Sequence, residues 1–281
     1  MTRSEEITLL LGLSPEEVIE KAGNRLRVLN TLDLLYRDFA NTIAEEIIEN
    51  NRKGVPTKLI LPVGPVGQYP ILAERIQRED IQLTNCWFFM MDEQCNEQGE
   101  TLPADHPLSF RQVFAEAFSH RLEEQNRIPE TQLIFPDRNN LTQLSSMIVE
   151  VGGIDTTYGG IGIHGHVAFN EPAPGVRETD PRIVELNDFT RTINAVRSQV
   201  GGNLENFPRF GITLGMRQVL GSKRIRLYCR NGIDLDWANT ILRLAVLGEA
   251  GDDYPVTHLR DHVDFQVVTD EVTLKQPKII L

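Results

Sequence analysis

The stretch TKLILPVGPVGQYPILAERIQREDIQLTNCWFFMMDE, Thr57 to Glu93, decides the fold class. Thr57 to Gly64 reads as a buried strand running into a Gly/Pro turn, because Leu59, Ile60 and Leu61 follow one another without polar alternation. Tyr69 to Asp80 carries helical patterning. A second continuous apolar run, Trp87 to Met91, then ends in two carboxylates, Asp92 and Glu93. Solidly apolar strands that alternate with helices imply an α/β fold, with a mostly parallel sheet covered on both faces.

The same alternation extends in both directions. On the N-terminal side, Leu32, Leu35, Phe39, Ile43 and Ile47 recur at three- and four-residue steps and form one helix face, ended by Asn50, Asn51 and Gly54. Ser14-Pro15-Glu16-Glu17 opens an earlier helix: serine caps, proline suits the first turn, and Glu17 completes a capping box. On the C-terminal side, SFRQVFAEAFSHRL is helical, TQLIF is a short strand, LTQLSSMIVEVGG is a helix, and TTYGGIGI is a glycine-interrupted strand. RFGITLG fits a strand or a strand-to-helix turn, RIRLYC a strand, DWANTILRLAVLG a helix, and VDFQVVTD a final strand. With no internal repeat or linker, residues 1–281 read as a single α/β domain whose residues 1–29 form an N-terminal helical extension.

Composition narrows the function classes. Of the 281 residues, 41% are hydrophobic and 24% charged, and the formal net charge is −12. The densest basic segment, GSKRIRLYCR, reads as one strand face, so no basic patch for nucleic acid stands out. No run of apolar residues is long enough for a membrane helix, and the start of the chain lacks the pattern of a signal peptide. Three widely spaced cysteines without a C-x-x-C suggest reduced thiols in a cytoplasmic protein.

Ligands of open parallel sheets bind beyond the carboxyl ends of the strands. That rule selects PVGPVGQYP after Leu61, Asp92-Glu93 after the apolar run, and GGIGIHGHVAFNEP, Gly159 to Pro172. Asp92 follows five apolar residues, so burial would raise its pKa and suit it to carry a proton, although a plain turn aspartate fits too. His166 and Glu171 suggest an imidazole oriented by a carboxylate. A metal reading would take His164, His166, Glu171 and Asp92 as ligands. The loop after Leu61 offers glycines before a helix start, where free N–H groups attract anions, but Pro65 lacks one such donor.

Taken together, these segments resemble the glucosamine-6-phosphate deaminase family. GGIGIHGHVAFNEP resembles the signature G-G-x-G-x-D-G-H-I-A-F-N-E-P. FFMMDEQCN and HPLSFRQVF resemble the family's M-D-E-Y and H-P-x-S-Y segments, and LILPVGPVGQYP falls where it has the phosphate loop L-P-T-G-x-T-P. TRTINAVR, FGITLGMRQVL and VTHLRDHVDFQVVTDE follow in the family's order, so the likeness spans roughly residues 30 to 272. The related 6-phosphogluconolactonases share the general fold and a G-H loop but typically read S-L-F-P after it.

The resemblance implies a modified doubly wound, Rossmann-like sheet. It also implies aldose–ketose isomerisation of an amino-sugar phosphate with release of ammonia, no metal or organic cofactor, and a homo-oligomer. Carried over, Asp92 is the base moving a proton between C2 and C1, and His166 the acid–base of ring opening, tuned by Glu171. Gly160 and Gly162 line the sugar, Arg197 binds the phosphate, and Val63, Gly64 and Glu93 join the substrate-binding set.

The sequence departs from the family at defined points. His164 stands in place of the signature aspartate of the catalytic relay, so it joins the catalytic set with altered electrostatics. Val63 and Val66 stand where the phosphate loop has threonines, and Pro65 where it has a glycine. The family's phosphate lysine has no counterpart in Asn231-Gly232-Ile233-Asp234. These losses predict an altered substrate. A lactonase-like hydrolase and a non-catalytic sugar-binding module are the competing readings.

Overall fold

The computed structural model describes residues 1–231 and 237–280. In chain order the elements are α1 (Arg3–Leu11), α2 (Pro15–Ala22), β1 (Leu26–Leu29), α3 (Leu32–Lys53), β2 (Thr57–Leu61), α4 (Gln68–Arg78), β3 (Cys86–Met90) and β4 (Asp92–Cys95). There follow α5 (Phe110–Ala117), β5 (Leu133–Ile134), α6 (Leu144–Glu150), β6 (Thr156–Gly160), β7 (Arg182–Glu185), α7 (Asp188–Arg197) and β8 (Phe210–Thr213). The chain continues through α8 (Met216–Leu220), β9 (Arg224–Cys229), α9 (Ala238–Leu247), β10 (Phe265–Asp270) and α10 (Glu271–Leu274).

Seven strands form one sheet in the order β1-β10-β9-β6-β2-β3-β5, and every pairing in it is parallel. Successive strand residues feed opposite cores. Leu59, Leu61, Phe88 and Met90 pack with Leu35, Phe39 and Ile43 of α3 and Leu72 of α4. Ile60, Phe89, Ile225 and Leu227 pack with Val18 of α2, Ile148 of α6 and Leu242 of α9. Both faces are therefore covered, which is why these strands lack polar alternation. From β2 the chain winds outward to β3 and β5; from β6 it winds the other way to β9 and β10. The winding reverses between β2 and β6, so the crevice at their carboxyl ends is the switch point of the sheet.

Two expectations need correction. The N-terminal segment is helical only to Ala22; Leu26–Leu29 pairs with Val267–Asp270 as an edge strand, covering the open side of β10. The carboxylates after the apolar run do not sit in a turn. They begin β4, part of a separate antiparallel sheet of order β4-β8-β7, in which Asp92 pairs with Thr213. RFGITLG contributes the central strand of that sheet. Asp236, the first residue of DWANTILRLAVLG, lies outside the described residues. Cys86, Cys95 and Cys229 are buried and unpaired. Among the described residues no helix is long and apolar enough to cross a membrane.

Candidate active site

One cleft, about 720 Å³ including its mouth, opens at the switch point. Asp92, His166, Arg197 and Arg230 all line it, with Gly64, Gly160 and Gly162 from the loops after β2 and β6. The glycine at 160 is required by close approach: a Cβ there would lie 2.9 Å from Pro65 Cδ and 3.1 Å from Gly64 O.

β4 places two adjacent carboxylates in different surroundings, because successive strand residues point to opposite faces. Asp92 faces the cleft, is 8% exposed, and is pushed up to about 8, first by burial and then by the neighbouring Glu93. Glu93 turns away. Its carboxylate accepts the N–H groups of Phe110 and Arg111 at 2.8 and 2.9 Å and the Ser109 hydroxyl at 3.3 Å. It closes the N-terminus of α5 and does not line the cleft, where the sequence reading places it. Val63 does not line the cleft either. It is 2% exposed and packs in the core beside α3, where a branched apolar side chain belongs; the loop meets the cleft through Pro62, Gly64 and Pro65.

The loop after β6 holds the histidine. The His166 ring lies directly over Gly162, where an added Cβ would fall 1.9 Å from Nε2. Its Nδ1 is 3.9 Å from Glu171 Oε2 and 3.5 Å from the Thr190 hydroxyl. Burial, with His164 and Arg197 nearby, pushes His166 down to about 3, so the imidazole is neutral at pH 7. Burial raises Glu171 to about 7, and its buried Oε1 has no hydrogen-bond partner among the described residues. Asn170 pins the loop: its Nδ2 donates to Val167 O and Leu214 O, each at 2.9 Å, and its Oδ1 accepts from Arg182 at 2.9 Å. His164 does not line the cleft. Its ring packs edge-on against Phe189 with centroids 4.8 Å apart, and its Nδ1 meets Asn187 Nδ2 at 3.1 Å. Among the described residues, no group of three or more His, Cys, Asp or Glu side chains is placed to hold a metal ion, so the four-ligand arrangement considered from sequence does not assemble.

Arg197, the last residue of α7, and Arg230, the first after β9, bring two guanidinium groups into the cleft. Neither has a carboxylate partner among the described residues. Arg197 stacks over Trp237 at 5.6 Å and Arg230 over Tyr36 at 5.5 Å. Burial and the like charge of Arg230 lower Arg197 to about 10, still cationic at neutral pH. Among the described residues, no acceptor meets the buried Arg230 Nε. Sequence reasoning missed Arg230, together with Tyr36 and Trp237. The available signal was its position, one step beyond a strand's carboxyl end. Gly232, Ile233 and Asp234 lie outside the described residues.

By structure, the chain is similar to a monomeric glucosamine-6-phosphate deaminase, with TM-score 0.76, 23% identity, and coverage of 89% of this chain and 98% of that one. It is also similar to a 6-phosphogluconolactonase from Thermotoga maritima, with TM-score 0.63, 16% identity, and coverage of 87% and 98%. By sequence, it is 30% identical over 212 residues to a glucosamine-6-phosphate deaminase from Beutenbergia cavernae, covering 73% of this chain and 75% of that one. It is 28% identical over 250 residues to one from Thermoanaerobacter pseudethanolicus, covering 88% and 93%. No family model matches the chain. The chain belongs to the glucosamine-6-phosphate deaminase family.

Proposed function

We propose that this protein is an aldose–ketose isomerase and deaminase of an amino sugar that carries an anionic group, with an anion pocket rebuilt relative to the family pattern. One observation carries the reading: a single cleft presents a carboxyl group, a neutral imidazole and two guanidinium groups that have no carboxylate partner among the described residues. The guanidinium pair suits a phosphate, since charge-assisted bonds contribute about 1.5–3 kcal/mol each. Arg230, stacked on Tyr36, offers guanidinium donors in place of the threonine hydroxyls and lysine of the family pattern.

The chemistry follows from the two ionisation states. Neutral His166 accepts the proton of the anomeric hydroxyl and returns it to the ring oxygen, which opens the ring. Glu171 beside Nδ1 stabilises the imidazolium formed in between. Ionised Asp92 then removes the proton from C2 while the substrate ammonium gives a proton to O1, and it delivers the C2 proton to C1 of the enolamine. The resulting C2 imine is hydrolysed by water to the ketone and ammonia.

An ammonia-release assay on glucosamine-6-phosphate, galactosamine-6-phosphate and the free amino sugars tests this reading. Release is expected from a phosphorylated substrate, and Asp92→Asn should abolish it. Arg230→Ala should raise KM for that substrate at least tenfold and leave any turnover of the free sugar unchanged. No ammonia from any of them, with hydrolysis of a sugar lactone instead, would replace the deaminase reading by a lactonase one.

A further inference from the structure

Asn187 precedes α7, and its neighbours allow its carboxamide only one orientation. Oδ1 accepts the N–H of Thr190 at 2.9 Å and so caps the helix. Nδ2 is left facing Glu171 Oε2, to which it donates, and His164 Nδ1 at 3.1 Å. Turning the amide over would set its N–H groups against the N–H of Thr190 and its oxygen against a carboxylate. An amide nitrogen accepts no hydrogen bond. His164 Nδ1 therefore carries no proton, and the proton of the ring is on Nε2.

The same helix end reaches His166 through Thr190, whose hydroxyl is 3.5 Å from His166 Nδ1. The opposite end of α7 is Arg197. One helix thus ties the histidine–carboxylate cluster at its cap to a guanidinium group of the cleft at its last residue.

We infer that Asn187 is the positioning residue of this site, orienting Glu171 toward His166 and holding His164 as the neutral Nε2–H tautomer. The kinetic side of this inference rests on the deaminase reading; the tautomer does not. The titratable and charged groups around the cluster are Glu171 and His166 on the same loop, Tyr254 against Gly165, and Arg197 on α7, while the Asp188 side chain points to solvent. A neutral His164 agrees with the downward push that burial gives its pKa.

The test uses Asn187→Asp, which keeps the cap but replaces the amide donor with a carboxylate. Long-range proton–nitrogen spectra of the histidine-labelled full-length chain report the tautomer, with the His164 signals identified by their loss in His164→Gln. Wild-type His164 should show one protonated nitrogen, Nε2, at pH 7. In Asn187→Asp both nitrogens should be protonated at that pH, and kcat for ammonia release should fall at least tenfold with KM within about twofold. A wild-type His164 protonated on Nδ1 overturns the inference, as do unchanged nitrogen shifts in Asn187→Asp. An unchanged kcat–pH profile in that variant of an ammonia-releasing enzyme also overturns it. If the wild type releases no ammonia, the deaminase reading alone fails, and the nitrogen shifts still decide the role of Asn187.

Discussion

Burial moves Asp92 and His166 in opposite directions, to about 8 and about 3, because it disfavours whichever form is charged. At neutral pH the carboxyl is mostly protonated and the imidazole neutral. Abstraction of a carbon-bound proton needs the carboxylate, whose fraction grows as pH rises through about 8. We therefore expect kcat/KM to climb from pH 6 and level off above about 8; a profile flat from pH 6 to 9 would contradict the role given to Asp92. Asp92→Asn should lower turnover roughly 10²–10⁴-fold, the usual share of a proton-transfer group. Gly162→Ala is a sharper test of His166: its methyl group would occupy the space of the ring. Activity should be lost while the melting temperature of the protein stays within a few degrees. The burial of Asp92 was legible in the five apolar residues before it. The meeting of Arg230 with Arg197 was not, since it depends on a strand and a helix brought together from separate parts of the chain.

At the level of elements, β4 and α5 form one device. Strand alternation sends Asp92 to the cleft and Glu93 to the exposed N–H groups of α5, so the helix is anchored one residue from the proposed base. Glu93→Gln sets an amide donor among those N–H groups. It should destabilise the protein by about 1–3 kcal/mol, read from denaturant midpoints, and also lower kcat by loosening β4. The element hardest to see in sequence was α7. Phe189, Ile193 and Val196 fall on one helical face, yet Phe189 and Val196 are exposed and the residues the helix buries are Thr190, Arg191 and Ala195, so its apolar stripe does not mark its buried side. Its start is set by the Asn187 cap, a local signal that acquires meaning only when Glu171 and His164 are brought against it.

Across the molecule, both faces of the sheet are packed, and the termini are tied together away from the cleft. The fully buried Arg243 of α9 donates to the carbonyls of Leu13, Leu274 and Lys275, linking the N-terminal helices to the end of the chain. Arg243→Met would take that donor from the carbonyls of Leu13 and Leu274, while Lys275 O would keep its bond from Asn239 Nδ2. We expect a loss of about 1–3 kcal/mol in unfolding free energy, with ammonia release per folded molecule unchanged. A parallel loss of kcat would mean that the two regions are coupled.

The sequence by itself determined the α/β class, the apolar strands buried on both faces, and a loop with His166 and Glu171 at a strand's carboxyl end. Those features are written in consecutive residues, as apolar runs, caps and glycine turns. Only the tertiary structure decided which side chains meet. It sent Val63 to the core and Glu93 to a helix end, set His164 behind the cleft against Asn187, and brought Arg230 beside Arg197. Such outcomes depend on which face of a strand is already filled and on the order of strands in the sheet, and both are settled by packing between segments distant in sequence.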